Sequence, residues 1–466
     1  MKFTLRDYQS DIVEQVRHAF RQGYHAPLLQ SPTASGKTVI YAYITERAAE
    51  MGNSVMILTH RQELLKQTSD ALFEMRVPHG LISPKYSASR DKIQVASVQT
   101  LVRRLGKYKE PDLIIIDECH HSQAGSWKKI LSSYPNAKLL GVTATPIRLD
   151  GKGLGVQAGG FFDTLVNGLS VQELIDLGYL SKPVIYAPPQ QIDMSALHKQ
   201  FGDYKQKEVD DLMDKPTITG CAVEHYQKLC PGQPTIVFCA SVKHAKHVAE
   251  QFNQAGITAE SIDGKLNDKD RTDRIQALGN GGIDVLTSCE IISEGTDIPV
   301  VSVGILLRPT ASTGLFLQQC GRILRIHPDK KCSIILDHVG NTLRHGFPDD
   351  DRDWDLAGVK KTKRGSDDDP EINIVQCGCC YLMFRRSEKI CPHCGWVVPV
   401  QDREIQQVEG ELERVERHRK INRKREIGMA KTKEELFAVA NERGYNAGWV
   451  YHIMNSRKNR KAGMAV

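Results

Sequence analysis

Apolar residues fall in short continuous runs separated by stretches of helical period. Between residues 26 and 145 the runs are Pro27-Leu28-Leu29, Val55-Met56-Ile57-Leu58, Ile93-Gln94-Val95-Ala96, Leu113-Ile114-Ile115-Ile116 and Leu139-Leu140-Gly141-Val142. Each is short and lacks polar alternation, so each predicts a strand buried on both faces. The segments between them read as amphipathic helices, for example Lys37 to Met51, closed by Gly52. Strands alternating with helices predict a parallel sheet covered on both sides. The pattern pauses over 151–160, which hold five glycines, and over 186–216, which are polar and irregular. It resumes with Ile236-Val237-Phe238, Ile283-Asp284-Val285-Leu286, Val300 to Leu307 and Ser333-Ile334-Ile335-Leu336, a second α/β domain.

A chain of 466 residues suggests about three domains from length alone. We expect a first α/β domain over 1–150, and a connecting segment with the second over 151–347. An acidic, polar linker follows over 348–371, with two Asp-Asp-Asp runs. A cysteine-rich segment occupies 372–400 and a charged helical module 401–466. In that module 403–427 has helical spacing and dense mixed charge. Thr432 and Glu435 make a capping box that predicts a helix from Lys433 to Arg443, ended by Gly444. A second short helix would hold Trp449, Tyr451 and Ile453. The net charge is +6, and residues 401–466 hold 15 Lys/Arg against 10 Asp/Glu, a surplus of +5. A basic tail on a near-neutral body points to a polyanionic partner, or to a solvated helical pair. The first residues have no signal-peptide core, and no run approaches the ~18 apolar residues of a spanning helix. A soluble, cytoplasmic protein without membrane contact is expected.

Residues 31–38 read Ser-Pro-Thr-Ala-Ser-Gly-Lys-Thr, after a predicted strand and at the start of a helix. A helix N-terminus presents unpaired N–H groups, so this placement suits phosphate. Ser35 and Gly36 would form the loop, with Gly36 letting the backbone approach closely. Lys37 would reach the β- and γ-phosphates of ATP, and Thr38 would hold Mg²⁺. The run 113–116 ends in Asp117-Glu118-Cys119-His120. At the carboxyl end of a parallel strand Asp117 would hold Mg²⁺, and Glu118 would orient and deprotonate a water.

With these residues the chain resembles the superfamily 2 helicases of the DEAD/DEAH-box type, over roughly residues 3–340. Asp-Glu-Cys-His is a variant of their acidic box. Arg6-Asp7-Tyr8-Gln9 is similar to the adenine-reading element, which implies Gln9 on the base. Thr59-His60-Arg61-Gln62-Glu63-Leu64-Leu65 and Ser97-Val98-Gln99-Thr100 resemble strand-contacting motifs, and Thr143-Ala144-Thr145-Pro146 the motif that couples hydrolysis to movement. Val237-Phe238-Cys239-Ala240-Ser241 and Glu294-Gly295-Thr296-Asp297-Ile298-Pro299 follow in the family's order, the latter implying Gly295 and Asp297 at the nucleotide. Gln318-Gln319-Cys320-Gly321-Arg322-Ile323-Leu324-Arg325 resembles the arginine-finger motif, which implies Arg322 and Arg325 at the γ-phosphate and Gln318 among the catalytic residues. Phage helicases and bacterial repair helicases of the RadD type are similar. Ser31 stands where the family has Gly, and Cys119 where it usually has Ala. The resemblance implies two RecA-like domains in tandem, ATP and Mg²⁺ as cofactors, and nucleic acid as partner. DNA, as a single strand or fork, is favoured by the resemblance, with replication or repair proteins as associates. An RNA helicase, or a duplex translocase that separates no strands, stays open.

Seven of the twelve cysteines are scattered between Cys119 and Cys332, and five fall between Cys377 and Cys394. Two Cys-x-x-Cys pairs point to tetrahedral thiolate ligation of Zn²⁺ by Cys377, Cys380, Cys391 and Cys394, a zinc ribbon. Cys379 and His393 are spare donors, and a redox dithiol remains the other reading. The expected architecture is therefore α/β, two RecA-like parallel-sheet domains, a small zinc ribbon and a helical C-terminal tail.

Overall fold

The structure is a computed structural model. It describes residues 4–87, 89–122, 125–148, 151–188, 194, 197–200, 202–213, 216–289, 298–358, 374–399, 430, 432–442, 450 and 454. Gly295 and Asp297, the stretch 403–427, and Trp449, Tyr451 and Ile453 of the expected second tail helix lie outside the described residues.

Seven parallel strands form the first sheet: β1 (Pro27–Gln30), β2 (Val55–Thr59), β3 (Gly80–Ile82), β4 (Ile93–Ser97), β5 (Leu113–Asp117), β6 (Lys138–Thr143) and β7 (Thr164–Asn167), in the order β3-β4-β2-β5-β6-β1-β7. Ile114, Ile115 and Ile116 have no exposed surface, as their unbroken apolar run requires. Each such side chain contributes about 1.5–3 kcal/mol of burial. The helix Lys37–Glu50 stops where expected, with Gly52 at φ 83. β7 lies past the boundary expected at 150 and pairs with β1. The helix Val171–Asp176 follows, and its Leu174 is buried in the first domain's core.

The second sheet is built from β8 (Pro183–Tyr186), β11 (Thr235–Cys239), β12 (Ala259–Ile262), β13 (Val285–Ser288), β14 (Val303–Leu307) and β15 (Ser333–Asp337), all parallel, in the order β12-β13-β11-β14-β15-β8. Between β8 and β11 the stretch expected to be irregular holds a small hairpin of β9 (Lys199–Gln200) and β10 (Asp203–Tyr204), then the helix Gln206–Met213. The antiparallel pair β16 (Ile374–Gln376) and β17 (Met383–Arg385) carries the cysteine cluster. This ribbon is no free appendage. Ala187 N donates to the Tyr381 carbonyl at 3.2 Å, Tyr186 bridges Leu382, and Met383 and Phe384 are buried with the second domain's core. The ribbon covers the β8 edge, which would otherwise expose unpaired backbone.

The acidic run that opens the expected linker is also packed up to Gly358. Arg385 pairs with Asp350 and, at 3.2 Å, with Asp349. Leu356 is buried in the first domain's core, and its carbonyl accepts from Gly155 N at 2.9 Å. At the C-terminal end the helix Lys433–Glu442 forms as the capping box predicts. Thr432 N donates to Glu435 Oε2 at 3.1 Å, and Glu435 N to Thr432 Oγ1 at 3.2 Å. Leu436 and Ala440 pack with Ala430 and Val450 in a small core of their own. No described helix is long and apolar enough to cross a membrane.

Candidate active site

In a parallel sheet the segments leaving the carboxyl ends of the strands gather on one edge. The loop 31–36 leaves β1 there, Asp117 ends β5, and Thr143 ends β6, which lies between them. Register sets Gln30 beside Thr143 and Asp117 beside Val142. Two inter-strand steps put β1 and β5 about 9–10 Å apart, room for a phosphate and a cation.

Ala34 and Gly36 have φ of 70° and 80°, which turns successive amides of the loop into one concavity. A side chain at 36 would come within 2.6 Å of Gln9 Nε2. Glycine therefore suits both the backbone angle and the space. Ser35 Oγ donates to the Pro32 carbonyl at 2.7 Å, and Ser31 Oγ, 2.7 Å away, donates to Ser35. The serine that stands in place of glycine thus braces the loop from inside. The helix Asp7–Arg21 supplies a second brace. The Tyr8 hydroxyl donates to the Ser35 carbonyl at 2.7 Å, Gln9 Nε2 reaches the same oxygen at 3.4 Å, and Arg6 N holds Gln9 Oε1 at 3.0 Å.

Lys37 Nζ lies back over the loop, 3.4 Å from the Pro32 carbonyl. Burial pushes its ammonium pKa down, Glu118 and Asp117 push it up, and Arg322 and Arg325 push it down again. One ammonium therefore feels two carboxylates of its own domain and two arginines of the other. The Asp117 carboxyl is raised to about 7, by burial first and then by Glu118, against the pull of Lys37. Glu118 N donates to Asp117 Oδ1 at 3.0 Å, and the Tyr41 hydroxyl to Oδ2 at 3.3 Å. Tyr41, which also contacts Thr68 at 2.8 Å and Thr38, joins Thr38 and Asp117 through one hydroxyl. Two adjacent buried carboxylates beside a hydroxyl form a hard oxygen donor set that fits Mg²⁺.

Glu118 has φ 49°, a left-handed conformation that non-glycine residues adopt at a cost and that clusters at functional sites. The turn sets its carboxylate Oε2 3.4 Å from His120 Nδ1. His120 Nδ1 is also 2.9 Å from Thr143 Oγ1, which accepts from Thr145 N at 3.2 Å. Glu118 is thereby joined to the Thr143-Ala144-Thr145 segment.

The second domain reaches this site through the helix Thr313–Ile323. A side chain at Gly321 would collide with Thr33 of the phosphate loop, and one at Gly314 would stand 3.1 Å from Thr145 Oγ1. Glycine at 321 lets the helix seat on the loop. Arg322 and, one turn earlier, Gln318 are buried on this helix. Arg325 follows it, in a backbone bridge with Leu180. Arg271 of the second domain also meets Glu63 of the first at 2.7 Å.

The structure thus brings Gln9, Ser35, Gly36, Lys37, Thr38, Asp117, Glu118, Arg322 and Arg325 into one locale, with Gln318 beside it. Sequence reasoning missed Tyr8 as a brace, Tyr41 and His120. The only signal for Tyr41 was its place four residues after Lys37, on the same helix face.

In the ribbon Cys377, Cys380, Cys391 and Cys394 place their sulfurs within 4.8 Å of one another, with Cys377–Cys394 at 3.4 Å and Cys380–Cys391 at 3.6 Å. A tetrahedron of Zn–S bonds near 2.3 Å needs sulfurs about 3.8 Å apart, so the set fits zinc. Each Cys-x-x-Cys turn is followed by a residue of positive φ, Tyr381 at 62° and Gly395 at 74°. The amides of Cys379 and Cys380 each point at Cys377 Sγ at 3.4 Å. Burial pushes the Cys377 thiol up, and these donors and the neighbouring thiols bring it down to about 6, while Cys380 is pushed up to about 12 by burial and by the same crowded thiols, which a bound cation would relieve. Cys379 stands outside the set and is exposed.

Residues 2–148 match the family described as type III restriction enzyme, res subunit, and residues 221–327 match the helicase conserved C-terminal domain. A 51.5 kDa protein of a Lactococcus phage is 36% identical over 397 residues, 84% of this chain and 83% of the phage protein. The chain belongs to the superfamily 2 helicases. It is an ATP-hydrolysing enzyme of that class. The helicase is also 29% identical over 395 residues to a Saccharomyces cerevisiae protein assigned as an ATP-dependent helicase, IRC3, covering 77% of this chain and 56% of the yeast protein. Among solved structures it resembles a fragment assigned as the HsdR subunit of a type I restriction enzyme from Vibrio vulnificus, with a TM-score of 0.59 at 22% identity, over 74% of this chain and 66% of that one. That likeness is one of fold.

Proposed function

We propose that this helicase hydrolyses ATP between its two domains to move along DNA and separate its strands. The observation that carries the reading is the seat of the helix Thr313–Ile323 on the phosphate loop, where Lys37 feels Asp117, Glu118, Arg322 and Arg325 together. On this reading Gln9 reads the adenine, and Ser35, Gly36 and Lys37 hold the phosphates. Thr38 and Asp117 hold Mg²⁺, which would neutralise charge on the phosphates. Glu118 takes the proton of the attacking water. Gln318, Arg322 and Arg325 face the transferred phosphoryl group, and Gly295 and Asp297 complete the nucleotide site. Nucleotide binding would close the cleft and hydrolysis reopen it, stepping the protein along a strand held mainly by its phosphates.

The choice of DNA is supported by similarity to an Enterobacteria phage T4 protein named as an ATP-dependent DNA helicase, uvsW, 22% identical over 328 residues, 67% of this chain and 64% of that one. Hydrolysis measured with single-stranded DNA, duplex DNA and RNA tests it. Single-stranded DNA should stimulate turnover most. Stimulation by RNA alone would overturn the choice of nucleic acid. Stimulation by duplex alone, with no strand displacement from a forked oligonucleotide, would make the protein a duplex translocase.

The ribbon is proposed to hold one zinc on Cys377, Cys380, Cys391 and Cys394. Protein purified without chelator should contain zinc in equal amount to the chain, and Cys391→Ser or Cys394→Ser should lose it. Because the ribbon covers the β8 edge, either variant should also melt lower. Metal analysis that finds no zinc in the parent protein would remove the site.

A further inference from the structure

The helix Val171–Asp176 is followed by Gly178, whose φ of 74° turns the chain back toward the phosphate loop. The turn delivers Tyr179, half-buried, to a small cluster. The Arg6 guanidinium lies 4.3 Å above the Tyr179 ring centroid, and the Tyr8 ring is 5.1 Å away, tilted by 48°. Tyr8 is the residue whose hydroxyl holds the Ser35 carbonyl, and Gln9 follows it. Tyr179 therefore touches the residues that brace the loop on the side of the proposed adenine reader.

The next two residues do something different. Leu180 pairs its backbone with Arg325, and Ser181 N donates to the Leu324 carbonyl at 2.7 Å. Leu180 and Leu324 are buried in the same core as Tyr8, so a second-domain residue is packed into the first domain here. Three consecutive residues thus link the rim of the nucleotide site to the segment that carries one of the two arginines.

We propose that Tyr179 is a positioning residue that ties stacking of the nucleotide base to the placement of Arg325 at the phosphates. This rests on the ATP-site reading above. A flat cation–aromatic pair offers a stacking surface to a purine. A base laid on the cluster fixes the Tyr179 ring, and with it the backbone of Leu180 that bridges Arg325. A base that stacks poorly leaves the ring and the pairing less constrained. Base identity would then be read in turnover as well as in binding.

The test is steady-state hydrolysis of ATP and UTP by the full-length protein, its Tyr179→Ala variant and its Tyr179→Phe variant, with melting temperatures recorded for all three. The parent protein should hydrolyse ATP with a higher kcat than UTP. In Tyr179→Ala the kcat for ATP should fall about tenfold, the order expected for a lost aromatic contact, while KM changes far less. The ratio of the two kcat values should fall toward one. Tyr179→Phe should restore both, because the ring and not the hydroxyl provides the stack. Equal loss of kcat with ATP and UTP, or a change confined to KM, would overturn the proposal. A parent protein that hydrolyses neither nucleotide would instead remove the ATP-site reading, and this inference with it.

Discussion

Glu118→Gln should bind ATP as the parent does and hydrolyse it about 10²–10⁴-fold more slowly, the range a general base contributes. The substitution keeps the shape of the side chain and removes its basicity. Glu118 is 8% exposed and sits at φ 49°, a conformation with no evident role in building β5, which ends one residue earlier. The turn instead directs the carboxylate to His120, and through His120 to Thr143 and Thr145. Glutamine has nearly the same size and shape, so the local arrangement should survive. The charge change also bears on Asp117, whose carboxyl Glu118 helps to push up. Removing that charge leaves Asp117 more readily ionised, so cation and nucleotide binding should hold or improve. Equilibrium binding of a fluorescent ATP analogue and single-turnover hydrolysis separate the two effects. If binding is lost along with turnover, Glu118 is a structural residue and the assigned role is wrong.

The interior of both sheets was legible in the sequence, and their edges were not. The apolar runs at 27–29, 55–58, 93–96, 113–116 and 139–142 all became strands flanked on both sides, as did those of the second domain at 236–238, 283–286, 300–307 and 333–336, in part. β3, β7, β12 and β8, which no run announced, are the four edge strands of the two sheets. An edge strand is covered on fewer sides, so in β7 and β12 the residues are mixed in exposure and no continuous apolar run forms, whereas β8 does carry one, Val184-Ile185-Tyr186, which the run pattern above passes over. The ribbon shows in the sequence as a set of four zinc-ligating cysteines. Its cysteine spacing was legible because ligand geometry is local, but its docking on β8 was not, because that depends on pairing between residues almost two hundred positions apart. The same holds at the nucleotide site. The loop and the carboxylate pair are local signatures. Tyr8, Tyr41, His120 and Tyr179 act through contacts that the chain makes only after it has folded.

Arg322→Ala and Arg325→Ala should each lower kcat by about 10³-fold or more, in the manner of an arginine finger, while changing ATP affinity by less than about tenfold. Both guanidinium groups lie near enough to Lys37 to push its ammonium down. In the absence of nucleotide this is like-charge repulsion, relieved when a triphosphate enters between them. The gain is greatest where negative charge is most developed, in the transition state, so the loss should fall mainly on turnover. The two positions are held differently. Arg322 is buried within the helix Thr313–Ile323, against the phosphate loop. Arg325 lies past the helix end, where Leu180 bridges its backbone and Lys330 Nζ donates to its carbonyl at 2.9 Å. Truncating the Arg325 side chain leaves those backbone bonds in place, so Arg325→Ala should fold and close normally. Arg322→Ala removes a buried side chain, and its melting temperature is the control. Replacement by Lys should recover little in either case, since an ammonium lacks the planar fork that spans two phosphate oxygens. The decisive comparison is the ratio of kcat to analogue affinity in each variant. Losses of equal size in both would mean that these arginines hold the bound ground state, and the cleft would then be a binding site closed by the second domain with its catalytic groups elsewhere.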